Sequence, residues 1–177
     1  MKELISFGIF MNIDIKHTFL TSDHHFGSYQ LPSVFRVFSK DEEDIVIDKW
    51  NSVVGKTDTV IYVGDFSDCN LTDLIEYRTR LNGNIVFIKG NHDMFPDNVY
   101  EAVFQDVKTK LIIPELNLDI AHIPRKNISN RICIYGHLHR GSTFKPLLPN
   151  HKFCTCASIN DGYPVRLDSI LSKVSKI

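Results

Sequence analysis

The sequence predicts an α/β fold, a two-sheet αβ sandwich with helices on the outside. Two observations point there: short, β-branched apolar runs alternate with helical patterns early in the chain, and the later part of the chain reads mostly as strand. A third is that the best-defined runs each lead into a glycine-flanked group of polar residues. Open α/β sheets place their sites in loops of this kind, just beyond strand ends.

Taken in order, Thr18-Phe19-Leu20 is expected as the first buried strand. A helix should run from Ser39 to Val54, with Ser39 and Glu42 as a capping-box pair and Ile45, Ile47, Trp50, Val53 and Val54 as its apolar face; Gly55 ends it. Thr59 to Val63 is a second strand. A second helix spans Leu71 to Leu81, with Asn70 as N-cap, Asp73 in the first turn, and Arg78 and Arg80 near the end before Asn82-Gly83. Asn84 to Ile88 and Arg131 to Tyr135 are further buried strands. Between them Pro96 to Val107 reads as a short helix, and Lys110 to Ile113 and Leu118 to Ala121 as strands. Lys152 to Ile159 is expected as another strand and Leu167 to Val174 as a last helix.

Composition bounds the function. A chain of 177 residues, 43% hydrophobic and 23% charged, is the size of one domain with a real core, and residues 1–10 read as an extension of it. Twenty basic and twenty-one acidic side chains carry no electrostatic footprint of a protein that grips long nucleic acid. Cys69, Cys133, Cys154 and Cys156 show neither C-x-x-C spacing nor a disulfide framework, so buried reduced thiols are expected. The apolar stretch Leu4 to Phe10 is too short for a membrane span and has no cleavage site behind it, which makes the cytoplasm the expected location.

The chemistry is concentrated in Gly90-Asn91-His92-Asp93 and Gly136-His137-Leu138-His139, with Asp23-His24-His25 and Gly64-Asp65 upstream and His122 between. Imidazole offers a lone pair to a borderline divalent ion, carboxylate offers hard oxygen, and an asparagine carbonyl offers a weaker one. No cysteine is part of these motifs, so the set suits Mn, Fe, Co, Ni or Zn in a mixed nitrogen and oxygen shell. Six or seven ligands exceed what one tetrahedral ion needs. Two ions sharing a carboxylate would use them all, in the paired arrangement that clamps attacking and leaving oxygens in phosphoryl transfer.

The ordered series Asp23-x-His25, Gly64-Asp65, Gly90-Asn91-His92-Asp93, His122 and Gly136-His137-Leu138-His139 resembles the calcineurin-like metallophosphoesterases from about Thr18 to Asn160. Asp23-His24-His25-Phe26-Gly27, Arg36-Val37-Phe38-Ser39 and Pro164-Val165-Arg166-Leu167 narrow the resemblance to the small single-domain bacterial and phage members. It implies two divalent ions, manganese favoured, one held by Asp23, His25 and His139 and the other by Asn91, His122 and His137, with Asp65 bridging. His92 then stays off the metals and donates a proton to the leaving alkoxide or stabilises charge on the phosphate, while a metal-bound hydroxide attacks. Ile123-Pro124 after His122 resembles the H-x-P of the small relatives.

The chain also departs from the wider superfamily. Protein Ser/Thr phosphatases carry GDxxDRG and GNHE, whereas here Gly64-Asp65-Phe66-Ser67-Asp68-Cys69-Asn70 lacks the Arg-Gly pair and the later motif ends in Asp93. Many small relatives read F-G-H where this chain has Ser28. Asp68 and Asp93 are candidates for orienting a histidine, and Arg125, Lys126 and Arg140 for binding phosphate. His17, His24 and His151 are expected in core or surface roles, and Phe26, Tyr29, Phe35 and Phe38 as packing or a pocket for a base or aryl group. The expected activity is hydrolysis of a small phosphodiester or phosphomonoester, with nucleotides among the candidates. The alternatives are a nuclease of the same superfamily, or a scaffold that keeps the fold without turnover.

Overall fold

The computed structural model describes residues 13–28, 38–124, 131–139 and 152–174. Residues 1–10, expected as an extension, the segment with Tyr29, Phe35, Arg36 and Val37, and Arg125, Lys126, Arg140 and His151 lie outside them.

The first sheet is built from β1 (Thr18–Thr21), β2 (Thr59–Tyr62), β3 (Asn84–Ile88), β4 (Asp106–Lys108) and β9 (Val165–Arg166) in the order β4-β3-β2-β1-β9. β1 to β4 are parallel, and only β9 runs antiparallel. The second sheet has the order β5-β6-β7-β8, from β5 (Leu111–Ile113), β6 (Leu118–Ile120), β7 (Ile132–Tyr135) and β8 (Lys152–Cys154). Here β6, β7 and β8 are parallel.

Alternation of side chains along β1 to β3 sends each strand into two cores. Phe19, Val60, Tyr62, Ile85 and Phe87 pack against α1 (Lys40–Val53), α2 (Leu71–Arg80) and α3 (Asp97–Val103) through Trp50, Leu74, Tyr77 and Tyr100. Leu20, Ile61, Val63 and Ile88 point the other way, onto Ile113, Leu118, Ile120 and Ile134 of the second sheet. α4 (Leu167–Val174) adds Leu167 and Ile170 to this inter-sheet core. The sandwich and its helices are those expected.

Several boundaries differ from the expectation. The expected helix from Pro96 to Val107 stops at Val103, because the chain must turn for Asp106–Lys108 to pair beside β3 as an edge strand. The expected strand from Lys152 ends at Cys154; Cys156 leaves β7 and bridges to Ser22 beyond β1, tying one sheet to the other. On α1 the buried set is Glu43, Val46, Ile47 and Trp50, with Val54 at the cap, whereas Ile45 (55% exposed) and Val53 (38%) face outward. The capping box forms as expected, Glu42 Oε2 accepting the Ser39 N–H at 2.6 Å.

Candidate metal centre

Parallel pairing brings the C-terminal ends of β1, β2 and β3 to one edge, with Thr21 beside Tyr62 and Tyr62 beside Phe87. Asp23-His24-His25, Gly64-Asp65 and Gly90-Asn91-His92 come directly after those ends. His122 and Gly136-His137-Leu138-His139 come after β6 and β7, whose ends lie together for the same reason. Backbone bonds then stitch the loops: Asp23 N–H to Gly64 O (3.0 Å), His25 N–H to Asp65 O (3.3 Å), and Gly136 N–H to His122 O (3.0 Å).

The convergence requires strained backbone and missing side chains. Asp23, His25, Asp65 and His137 all have positive φ, at 59°, 49°, 57° and 68°, a region non-glycine residues occupy at a cost of order 1–3 kcal/mol each. A Cβ on Gly136 would stand 2.5 Å from Asp23 Oδ2, and one on Gly90 would overlap the Asp65 carboxylate. Glycine is needed at both places so that backbone can come against the acids.

All seven residues expected as ligands, and His92, come together. Asp23, His25 and His139 place ligand atoms within 4.8 Å of one another, as do Asp65, His122 and His137. Asn91 Oδ1 is 3.0 Å from His122 Nε2. Asp65 lies between the groups: its Oδ2 is 3.1 Å from His122 Nε2 and 3.7 Å from His25 Nε2, and its Oδ1 accepts the His92 N–H at 2.9 Å. His139 Nε2 is 3.7 Å from Asp23 Oδ1.

The imidazoles are aimed by their other nitrogens. His122 Nδ1 lies 2.8 Å from the carbonyl of Val63, which can only accept, so Nδ1 carries a proton. The neutral ring would then turn an Nε2 lone pair toward oxygens of Asp65 and Asn91, which demands a cation in the gap. Without a metal a proton takes that place: burial opposes it, but the bond to Asp65 and the charge of Asp23 push the His122 pKa up to about 9. His25 Nδ1 is bound to Asp68 Oδ2 at 2.7 Å, and its buried Nε2 has no hydrogen-bond partner. Burial works against a charge on His25 too, yet Asp68, Asp65 and Asp23 hold its pKa above the ordinary value. His137 and His139 are held below theirs, chiefly by burial, and so stay in the neutral form that can coordinate. Orphaned Nε2, facing lone pairs and a mixed nitrogen and oxygen donor set all fit divalent cations.

Asp68 serves two histidines at once. Its Oδ2 binds His25 Nδ1 and its Oδ1 is 3.2 Å from His92 Nδ1, so Asp68, a candidate for orienting one histidine, lies against two and joins His92 to His25 through one carboxylate. Ser28 donates to Asp68 Oδ2 at 2.6 Å. Asp93 does not orient a histidine. It accepts the N–H groups of Asp65 (2.8 Å), Phe66 (3.0 Å) and Gly90 (2.7 Å), clamping the loops after β2 and β3 together.

Three contributors escape sequence reading. Cys156, remote from the motifs in the chain, lies beside the site with Sγ 3.1 Å from Asp23 Oδ2, because the Ser22 bridge carries it there. Glu43 is buried beneath the first loop, where its carboxylate accepts from Gly27 N–H at 2.9 Å and Tyr77 Oη at 2.6 Å. Tyr62 reaches the loops from the strand core. The capping box singles out Glu42, but no local signal marks Glu43. Phe26 is packing, fully buried and stacked on Tyr77 with centroids 4.9 Å apart, and Phe38 packs against the same core.

The family model for calcineurin-like phosphoesterases matches residues 17–157, and the chain belongs to that family. It is therefore a metal-dependent phosphoesterase in class. An uncharacterized protein of Methanocaldococcus jannaschii is 29% identical over 175 residues, covering 93% of this chain and 94% of its own. The crystal structure of a protein of unknown function from Aquifex aeolicus shares the fold, with a TM-score of 0.70 at 20% identity over 89% of this chain and 98% of that one. No helix among the described residues is long and apolar enough to cross a membrane.

Proposed function

We propose that this protein hydrolyses a small phosphoester, a phosphodiester in preference to a monoester and with nucleotides among the candidates, at a centre of two divalent ions. Asp23, His25 and His139 would hold one, Asn91, His122 and His137 the other, with Asp65 between them. The observation that carries the reading is Asp65, whose single Oδ2 faces a histidine of each group at 3.1 and 3.7 Å. Bound ions, manganese the favoured pair, would acidify water and neutralise charge on phosphate oxygens.

The chain's own residues do the rest. With Nδ1 engaged by Asp68, His92 has Nε2 as the nitrogen that hands a proton to the departing alcohol oxygen. Asp68 keeps that ring oriented and balances its positive charge before transfer. Burial of Asp23, Asp65, His25 and His122 excludes bulk water from the protein side of the site, which strengthens each charge interaction there. A net charge of −1 favours a small substrate over long nucleic acid.

The test is hydrolysis of bis-p-nitrophenyl phosphate and p-nitrophenyl phosphate by chelator-stripped protein re-supplied with manganese, with His92→Ala alongside. Faster diester cleavage that needs metal and is lost in the variant is expected. Monoester cleavage alone would make it a phosphatase. Two equivalents of bound metal with no hydrolysis of either would favour the scaffold reading, and activity surviving both His92→Ala and Asp65→Asn would sink the mechanism.

A further inference from the structure

Tyr62 ends β2 with its ring in the helix-side core, fully buried, 5.1 Å from Phe66 and 5.9 Å from Phe87 between centroids. Its hydroxyl nonetheless belongs to the site loops. The oxygen accepts the His24 N–H at 3.2 Å, lies 2.7 Å from His24 Nδ1, and stands 3.5 Å from the Asp65 carbonyl oxygen. His24 is itself enclosed, stacked on Phe26 with centroids 5.0 Å apart and planes 9° from parallel.

The neighbours of His24 on either side are Asp23 and His25, both with positive φ, and Asp65 across the gap has positive φ as well. Strained residues persist only where their surroundings over-determine them. For Asp65, Asp93 supplies that constraint by accepting its N–H. In the Asp23-His24-His25 turn, Gly64 and Asp65 carbonyls take the first and third amides, and the second goes to Tyr62. One phenol oxygen thus completes the amide series and grips the side chain of the same residue.

We infer that Tyr62 is a positioning residue of the metal centre: through His24, its hydroxyl holds Asp23 and His25 in ligating geometry before any metal arrives. The inference rests on reading Asp23 and His25 as ligands. Preorganisation of this kind lowers the ordering cost of binding, so its loss falls on affinity at the site whose ligands flank His24. The site of Asn91, His122 and His137, whose His122 is held from Val63 and which Tyr62 meets only through the Asp65 carbonyl at 3.5 Å, should lose less.

Calorimetric titration of metal-stripped protein with manganese tests this, comparing wild type with Tyr62→Phe and with Trp50→Phe. Trp50 packs on the same rings, 6.1 Å from Tyr62 and 5.7 Å from His24, and its indole N–H donates to the Asn82 carbonyl at 3.0 Å, away from the Asp23-His24-His25 turn. Tyr62→Phe is expected to weaken one of two binding events about tenfold or more, the loss expected when an ordering contact is removed, and to lower kcat more than it raises KM. Trp50→Phe should lower Tm while leaving both events within about twofold. Unchanged affinities in Tyr62→Phe, with two metals bound by wild type, would overturn the role of Tyr62 and leave the ligand reading standing. An equal loss in Trp50→Phe would assign the effect to packing and overturn it too. Wild type binding no metal would instead remove the ligand reading on which the inference rests. If Tyr62→Phe fails to fold, His24→Leu removes the other half of the contact and is held to the same outcomes.

Discussion

His122 Nε2 faces Asp65 Oδ2 across 3.1 Å while its Nδ1 is tied to the Val63 carbonyl, so whatever lies between ring and carboxylate must be positive. In metal-free protein that is a proton. The folded pKa of about 9 stands above the unfolded value of about 6.5. The folded state therefore holds this proton more tightly, and its contribution to stability is full below about pH 6.5 and disappears as pH rises through about 9. A metal must displace the same proton. Manganese affinity is expected to climb by about tenfold per pH unit toward pH 9, with proton release seen as a buffer-dependent heat. Flat affinity between about pH 7 and 9 would remove His122 from the ligand set.

Asp68 should matter twice. Asp68→Ala is expected to reduce metal affinity through His25 and kcat through His92, each by about 10–100-fold, as for other groups that orient ligands. Ser28→Ala, which removes one donor to the same carboxylate, should cost far less. Metal titration and steady-state kinetics separate the two effects; a loss of kcat with no change in binding would confine Asp68 to His92.

Asp93 holds backbone, so its replacement should appear as lost stability. Burial raises its pKa to about 6 against the pull of three amides. Asp93→Asn turns an amide group toward at least one of those N–H donors, at a cost of about 1–3 kcal/mol. A fall in Tm of several degrees by thermal denaturation is the expected result, and an unchanged Tm would show that the clamp is dispensable.

Gly90→Ala tests close approach. A Cβ there would press on the Asp65 carboxylate and meet the Asp65 backbone nitrogen at 2.6 Å. Displacing this acid by even about 1 Å is expected to lower kcat by about 100-fold. Steady-state rates near wild type would mean the loop yields without disturbing Asp65.

Much of the fold is legible in the chain. Apolar runs mark β1, β2, β3 and β7, because a buried strand must be apolar whatever its partner, and Ser39, Glu42 and Asn70 mark helix starts through bonds spanning three residues. The chemical type of the centre is equally local, since histidine, aspartate and asparagine beside glycine have few other uses at strand ends. Asp68 is legible as a group that orients a histidine, but which partner aims each ligand was decided by tertiary structure. His25 meets Asp68 from 43 positions away, His122 meets Val63 from 59, and Asp23 meets Cys156 from 133. No periodicity or propensity spans such distances; they are closed by sheet register and by the bridge from Cys156 to Ser22. The short strands β4 and β9 escaped for the same reason, being strands only because a neighbour offers its edge.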